Sequence, residues 1–184
     1  GGCFSMILYE YPKRTTLRDG TELTLRPLRK EDQQALHEYF LRMPPEDRMG
    51  LKDDVTDPEV IEHWIYDLDY DVVLPVLALD DGRVVANATL HFNQIGWTKH
   101  QGEIRITSDP DYRQKGLAAR LIQELIEIAA YFGLEQLTAE IAPTSVEART
   151  IFRKLGFNEI ASLQGFVKDF DENQADLTIM VMYI

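Results

Sequence analysis

The residues of this 184-residue chain best placed to do chemistry lie between positions 103 and 120, in the run Glu-Ile-Arg-Ile-Thr-Ser-Asp-Pro-Asp-Tyr-Arg-Gln-Lys-Gly-Leu-Ala-Ala-Arg. The run opens with strand-like alternation and breaks at Asp109-Pro110. It then passes through a basic, glycine-containing turn into an apolar-periodic helix from Leu117. A strand, loop and helix of this kind form an anion cradle. The first amides of a helix have no intrahelical partner, and the helix dipole favours negative charge at that end. Gly116 lets a ligand approach the backbone closely because it has no Cβ, and Arg113 and Lys115 add positive charge. Singly these are a turn glycine and two solvated cations; in one unit they point to phosphate.

The rest of the chain supplies elements to hold that unit. Thr21-Glu22-Leu23-Thr24-Leu25-Arg26 alternates as a strand should, after an Asp19-Gly20 turn. Residues 30–43 predict a helix with Ala35, Leu36, Tyr39, Phe40 and Met43 on one face, stopped at Pro44-Pro45. Asp57-Pro58 opens a second helix through Val60, Ile61, Trp64, Ile65 and Leu68. Residues 73–79 and 83–92 read as strands joined by a tight turn at Asp80-Asp81-Gly82. The loop 93–102, with Trp97, Lys99 and His100 exposed to a partner, leads back to Glu103.

The helix 117–132 should bury Leu117, Leu121, Ile122, Leu125, Ile126, Ile128 and Ala129 and end at Gly133. A strand over 137–142 stops at Pro143, and Thr144 or Ser145 caps a helix through Ala148, Ile151, Phe152 and Leu155, closed by Gly156. Strands at 157–163 and 177–184 finish the chain, with a polar loop over 169–176 between them. This order predicts an α/β (α+β) fold in which four helices flank a mixed sheet of about seven strands. One domain is expected over 20–184, after an N-terminal extension over 1–19 whose opening Gly1-Gly2-Cys3-Phe4-Ser5, ahead of Met6, reads as a vector remnant or a frayed end.

Composition narrows the function. A net charge of -12 argues against nucleic acid, which is bound through clustered Lys and Arg, and suits a cationic substrate. The single cysteine, Cys3, excludes an intramolecular disulfide and any cysteine-rich metal site. No apolar run approaches the ~20 residues that a bilayer requires, and no membrane partner and a cytoplasmic location are expected. Neither a Rossmann glycine fingerprint nor a Gly-Lys-Ser/Thr P-loop is present, so the phosphate is not that of a dinucleotide or a nucleoside triphosphate.

Arg113-Gln114-Lys115-Gly116-Leu117-Ala118 resembles the Arg/Gln-x-x-Gly-x-Gly/Ala signature of the GNAT N-acetyltransferase superfamily, and it lies where that family carries it, between the fourth strand and the third helix. Pro110 and Tyr112 precede it. Leu155-Gly156-Phe157 closes the next helix as the family's Leu-Gly-Phe does, and Leu25-Arg26-Pro27-Leu28 with Glu31-Asp32 is similar to the family's opening strand and helix start. The resemblance covers about residues 20–184 and extends to the acetyltransferase domain of bacterial protein-lysine acetyltransferases.

The resemblance implies a co-substrate, acetyl-CoA, a coenzyme A thioester. Its diphosphate would lie on the amides of Gln114, Lys115, Gly116, Leu117, Ala118 and Ala119, with Arg113 nearby. Its pantetheine arm would run along Ile106, Thr107 and Ser108, in a groove where the fourth and fifth strands splay at a β-bulge near Thr107. Glu103, ten positions before Arg113, matches in spacing the general base of the lysine-acetyltransferase branch. An ammonium of pKa ~10.4 leaves only about one molecule in 2,500 as the free base at pH 7, so a base is needed. Partial burial is expected to raise the Glu103 carboxyl toward the working range. His91 and His100 are lesser candidates.

The family's helix Asn and Tyr fall on Ser145 and Phe152. Phenylalanine has no proton for the departing thiolate, which then takes one from solvent or from the amine. Ser145 either meets the pantetheine or caps its helix. Asp53, Asp54, Asp57, Glu59, Asp67, Asp69 and Asp71 could collect a cationic amine, with Trp64 and Tyr66 lining a pocket. Transfer of acetyl to a primary amine, of a small molecule or a protein lysine, by direct attack in a ternary complex is therefore expected. The alternative is a non-catalytic acyl-CoA sensor, suggested by Phe152; a homodimer through the apolar final strand, 179–184, is a further expectation. No metal is implied.

Overall fold

The computed structural model describes residues 7–142 and 145–184. Its strands are β1 (Lys13–Thr16), β2 (Glu22–Pro27), β3 (Val73–Asp80), β4 (Arg83–Phe92), β5 (Gln101–Ser108), β6 (Gln136–Ile141), β7 (Asn158–Lys168) and β8 (Gln174–Tyr183). They form one sheet in the order β1-β2-β3-β4-β5-β6-β8-β7. Every neighbouring pair is antiparallel except β5 and β6. The sheet is thus two antiparallel blocks, β1 to β5 and β6 to β8, joined by one parallel seam.

Local sequence explains most of these elements. The β3–β4 turn places Asp81 at φ 47° and Gly82 at φ 82°, the pair of positive values that matches a two-residue turn to strand twist. One 3-10 turn (Lys30–Asp32) leads into α1 (Gln33–Arg42). Buried Asp32 fixes that entry. It takes two hydrogen bonds of 2.7 Å from the Arg26 guanidinium and one of 2.8 Å from the Arg29 amide. Pro44-Pro45 stops α1 as expected, yet Pro45 also opens a short helix, α2 (Pro45–Arg48), because a proline at the first helical position forfeits no hydrogen bond. In α3 (Pro58–Tyr66), Asp57 caps the Glu59 amide at 2.9 Å.

Helices cover both sheet faces. On one, Leu36, Tyr39 and Phe40 of α1 and Met43 at its C-cap meet Ile61 and Ile65 of α3 over Leu77, Leu79 and Val84. On the other, α4 (Leu117–Tyr131) and α5 (Val146–Lys154) pack with Leu74, Val76, Ala88, Leu90 and Ile104. All seven apolar positions expected inside α4 are buried. So is Glu124, unexpectedly, at 0% exposure. It accepts from Tyr11 Oη, Lys13 Nζ and Arg120, each at 2.6 Å.

That network explains the first differences from expectation. The sheet has eight strands, since Lys13–Thr16, within the stretch set apart as an extension over 1–19, pairs with β2 and is tied to α4 through Glu124. Ile7 and Leu17 of the same stretch are also buried in the core. β7 reaches Lys168, so the loop expected over 169–176 shrinks to the turn before Gln174. The final strand β8 is paired on both sides, to β6 and to β7, so its backbone is not an open edge for a second copy. Pro143 and Thr144, the expected strand stop and alternative cap, lie outside the described residues.

Candidate active site

The seam between the two blocks creates the site. β5 pairs with β6 only at Gln101↔Gln136, Gly102↔Leu137 and Glu103↔Thr138. Gly102 allows this close meeting: a Cβ there would stand 2.8 Å from Leu90 Cδ1, 3.0 Å from Leu134 Cδ1 and 3.1 Å from Leu137 Cδ2. Beyond Glu103, β5 continues with β4 to Ser108 and β6 continues with β8 to Ile141. Each strand follows the twist of its own block, and the two part. Among the described residues the backbone of Ile106 has no strand partner on the side toward β6, whereas the Ser108 carbonyl accepts from Arg113. The β-bulge expected near Thr107 is absent. Register between β4 and β5 runs unbroken from Ala86↔Ser108 to Phe92↔Gly102, and the irregularity in this block falls instead at Ala78/Leu79 of β3. Divergent pairing opens the groove without it.

At the end of β5 the chain makes a 3-10 turn (Pro110–Tyr112), capped by Asp109, and enters α4. Gly116 is the N-cap of α4, at φ 90°, and no side chain caps the helix. Among the described residues no acceptor meets the amides of Gln114, Lys115, Gly116, Leu117, Ala118 and Ala119. A row of unsatisfied donors at a helix N-terminus, over a glycine whose Cβ position has only Arg18 Nε within 4 Å (at 3.7 Å), fits a diphosphate. The two cations expected to help are engaged elsewhere. Arg113 donates to Asp47 at 2.8 Å and to the Ser108 carbonyl at 3.0 Å. Lys115 donates to the Asp111 carbonyl at 2.9 Å and pairs with Asp19 at 3.1 Å.

Glu103 sits at the vertex of the splay, the last β5 residue paired with β6. Alternation puts Glu103, Arg105 and Thr107 on the face that carries α1, and their β4 partners His91, Thr89 and Asn87 share it. The Glu103 side chain is 26% exposed and accepts from Arg105 Nε at 2.7 Å. Burial would raise its carboxyl. The hydrogen bond and charge of Arg105, with Lys52 and His91, outweigh burial and hold the pKa below its ordinary value. The expected upward shift is thus reversed, because the cation two residues along the strand lies on the same face.

His91 goes the other way. Burial first, then Arg105, pushes it down to about 4, against the pull of Glu103 upward, so it is a neutral imidazole at pH 7 that meets Thr89 Oγ1 at 2.8 Å. His100 contributes its backbone, accepting from the amides of Glu135 and Gln136. Tyr39 of α1, raised above its ordinary pKa by burial, donates to Thr107 Oγ1 at 2.9 Å and leaves the threonine hydroxyl its own proton to give.

Ser145 is the N-cap of α5 but makes no side-chain cap bond, so its hydroxyl is not spent on the helix. Phe152 is 2% exposed and packs edge-on against Phe157, ring centroids 5.0 Å apart. It presents no surface to a cofactor: its position in the family pattern is occupied by a core residue. Trp64 likewise packs edge-on against Phe40 and donates to Asp53 at 3.1 Å, while Tyr66 is 83% exposed. Sequence reading missed Arg105, Tyr39 and Arg18. Strand alternation after Glu103 could have flagged Arg105; the other two come from distant segments.

A sheet split along one parallel seam, beside an uncapped helix N-terminus, makes a groove suited to an extended ligand that ends in phosphate. A profile of the Acetyltransferase (GNAT) family matches residues 33–157, and the chain belongs to that family of acetyl-CoA-dependent N-acetyltransferases. It is 26% identical over 156 residues to acetyltransferase PA5475 of Pseudomonas aeruginosa, covering 77% of this chain and 78% of that one. It is 30% identical over 79 residues to the [ribosomal protein bS18]-alanine N-acetyltransferase of Escherichia coli K12, spanning 43% of this chain and about half (53%) of that relative. Mycobacterium smegmatis RimJ, solved in complex with CoA-disulfide, shares the fold at a TM-score of 0.73 and 18% identity, over 94% of this chain and 86% of that one.

Proposed function

We propose that this chain transfers acetyl from acetyl-CoA to a primary amine by direct attack, with Glu103 as general base. The observation that carries the reading is the place of Glu103, a carboxylate at the vertex of the β5–β6 splay. Acetyl-CoA supplies the activated carbonyl. The unpaired backbone of Ile106, with Thr107 and Ser108 beside it, lines the pantetheine path, and the amides from Gln114 to Ala119 receive the diphosphate. The Ser145 hydroxyl lies at the start of the helix that follows β6.

Glu103 takes the proton that the attacking amine sheds, directly or through a water. Arg105 keeps the carboxylate ionised for that task and orients it. With Phe152 buried, the leaving thiolate, of pKa ~8.5 for an ordinary thiol, is a tolerable leaving group without a tyrosine acid.

A cationic acceptor suits the net charge of -12 and the carboxylates beside α3. Several of these also have local structural duties: Asp54 holds Thr56, Asp57 caps α3 and Asp69 accepts from the Asp71 amide. The acceptors to assay are therefore polyamines, lysine peptides and, following the relative that acts on an alanine amine, peptides with an N-terminal alanine. Thiol release from acetyl-CoA across this panel tests the reading. Glu103→Gln should lower kcat about 100-fold on the best acceptor with little change in acetyl-CoA affinity. An unchanged kcat removes Glu103 from the role, and tight cofactor binding without thiol release from any amine favours a sensor.

A further inference from the structure

The cations that the signature places at the diphosphate site are turned away from it, Arg113 to Asp47 and Lys115 to Asp19. Another guanidinium takes their place. Resting on the placement of the diphosphate at the start of α4, we propose that Arg18, in the turn between β1 and β2, is the cationic clamp of that diphosphate.

Arg18 is exposed, and among the described residues its side chain has no ion pair or hydrogen bond. Its Nε lies 3.7 Å from the point that a Cβ on Gly116 would occupy, and the amide of Gly116 is one of those with no acceptor among the described residues. A planar guanidinium offers two parallel donors to a phosphate, which an ammonium cannot match.

The position of Arg18 is built, not incidental. Its backbone amide donates to the Lys115 carbonyl at 3.1 Å, and Asp19 holds the Lys115 ammonium at 3.1 Å, so the turn is laced to the cofactor loop by two bonds. Behind it, β1 and the residues just before it are fastened to α4 itself, through Lys13 and Tyr11 on buried Glu124. The helix that presents the amides therefore also sets the distance of the clamp. This gives the first strand a role in cofactor binding as well as in the sheet.

Calorimetric titration with CoA, dephospho-CoA and pantetheine tests the assignment on the full chain, with Arg18→Gln, Arg18→Lys and Gly116→Val beside the wild type. Arg18→Gln should melt as the wild type does and bind CoA and dephospho-CoA about tenfold more weakly, with pantetheine unaffected. Its CoA affinity should also depend less on salt, and Arg18→Lys should fall between the two. If Arg18→Gln binds CoA normally while Gly116→Val does not, the cradle stands and the clamp is overturned. If Gly116→Val also binds CoA normally, the diphosphate is not at the start of α4 and the underlying placement fails. A loss confined to CoA, absent with dephospho-CoA, would assign Arg18 to the ribose phosphate and overturn the diphosphate contact.

Discussion

Arg105 donates from Nε to Glu103 Oε1 at 2.7 Å, between residues two apart on one face of β5, at the point where that strand leaves β6. The contact decides the ionisation of the proposed base. Because burial alone would raise the Glu103 carboxyl, removing Arg105 leaves burial in charge. In the wild type the acid limb of kcat/KM should lie below the ordinary carboxyl value of 4.5, and in Arg105→Gln it should move to higher pH. A pH–rate profile of both proteins, on one acceptor, measures the displacement. Coincident acid limbs would show that Arg105 does not govern the base.

His91 should write its own signature into stability. Its folded pKa is depressed to about 4 from 6.5, so the unfolded chain binds the proton first as pH falls. The histidine contribution is fully present above pH 6.5 and is lost between there and about pH 4. Thermal melts across this window should show a falling Tm, less steeply in His91→Gln. The depressed carboxyls Glu103, Glu124 and Asp32 act at lower pH, as each is protonated below its ordinary value.

Phe152→Tyr should not improve catalysis. At 2% exposure against Phe157, a new hydroxyl enters the core without a partner, at a cost of about 1–3 kcal/mol. The expected outcome is a lower denaturation midpoint with unchanged kcat. A rise in kcat would mean that the ring swings into the groove.

Glu124→Ala should loosen the first strand. The carboxylate is fully buried and satisfies Tyr11, Lys13 and Arg120; the two cations, 25% and 31% exposed, can turn to water once it is gone, so the loss should be about 1–3 kcal/mol. Hydrogen exchange would register it as faster exchange in β1 than in β4. If Arg18 depends on this anchor, CoA affinity should fall in the same variant.

Gly102→Val should damage the groove from its closed end. Leu90, Leu134 and Leu137 already fill the space that the new side chain needs, so β5 and β6 must separate at the seam. Both Tm and kcat should drop, and a variant with wild-type kcat would detach the seam from the chemistry.

Much of this was legible locally. Asp57-Pro58, Asp80-Asp81-Gly82 and the apolar rhythm of α4 each act within a few residues, through a cap, a turn conformation and a helical period. β1 was not legible, because four polar residues, Lys-Arg-Thr-Thr, become a strand only through β2 beside them and Glu124 behind them. The ionisation of Glu103 was misjudged for a similar reason. Burial is a tendency of the residue, whereas the net shift depends on which charge is placed against it.

The sequence by itself determined the strand–loop–helix of 103–120, with Gly116 at the turn and Glu103 ten residues ahead of Arg113, because those features rest on short-range backbone preferences. Only the tertiary structure decided what surrounds them. It turned Arg113 and Lys115 away from the cradle and brought Arg18 to it, sank Phe152 into the core, and opened the groove by divergence of two antiparallel blocks where a bulge was expected. The physical reason is that charge pairing, burial and sheet twist are settled between segments far apart in the chain, and spacing along it carries no record of which of them will meet.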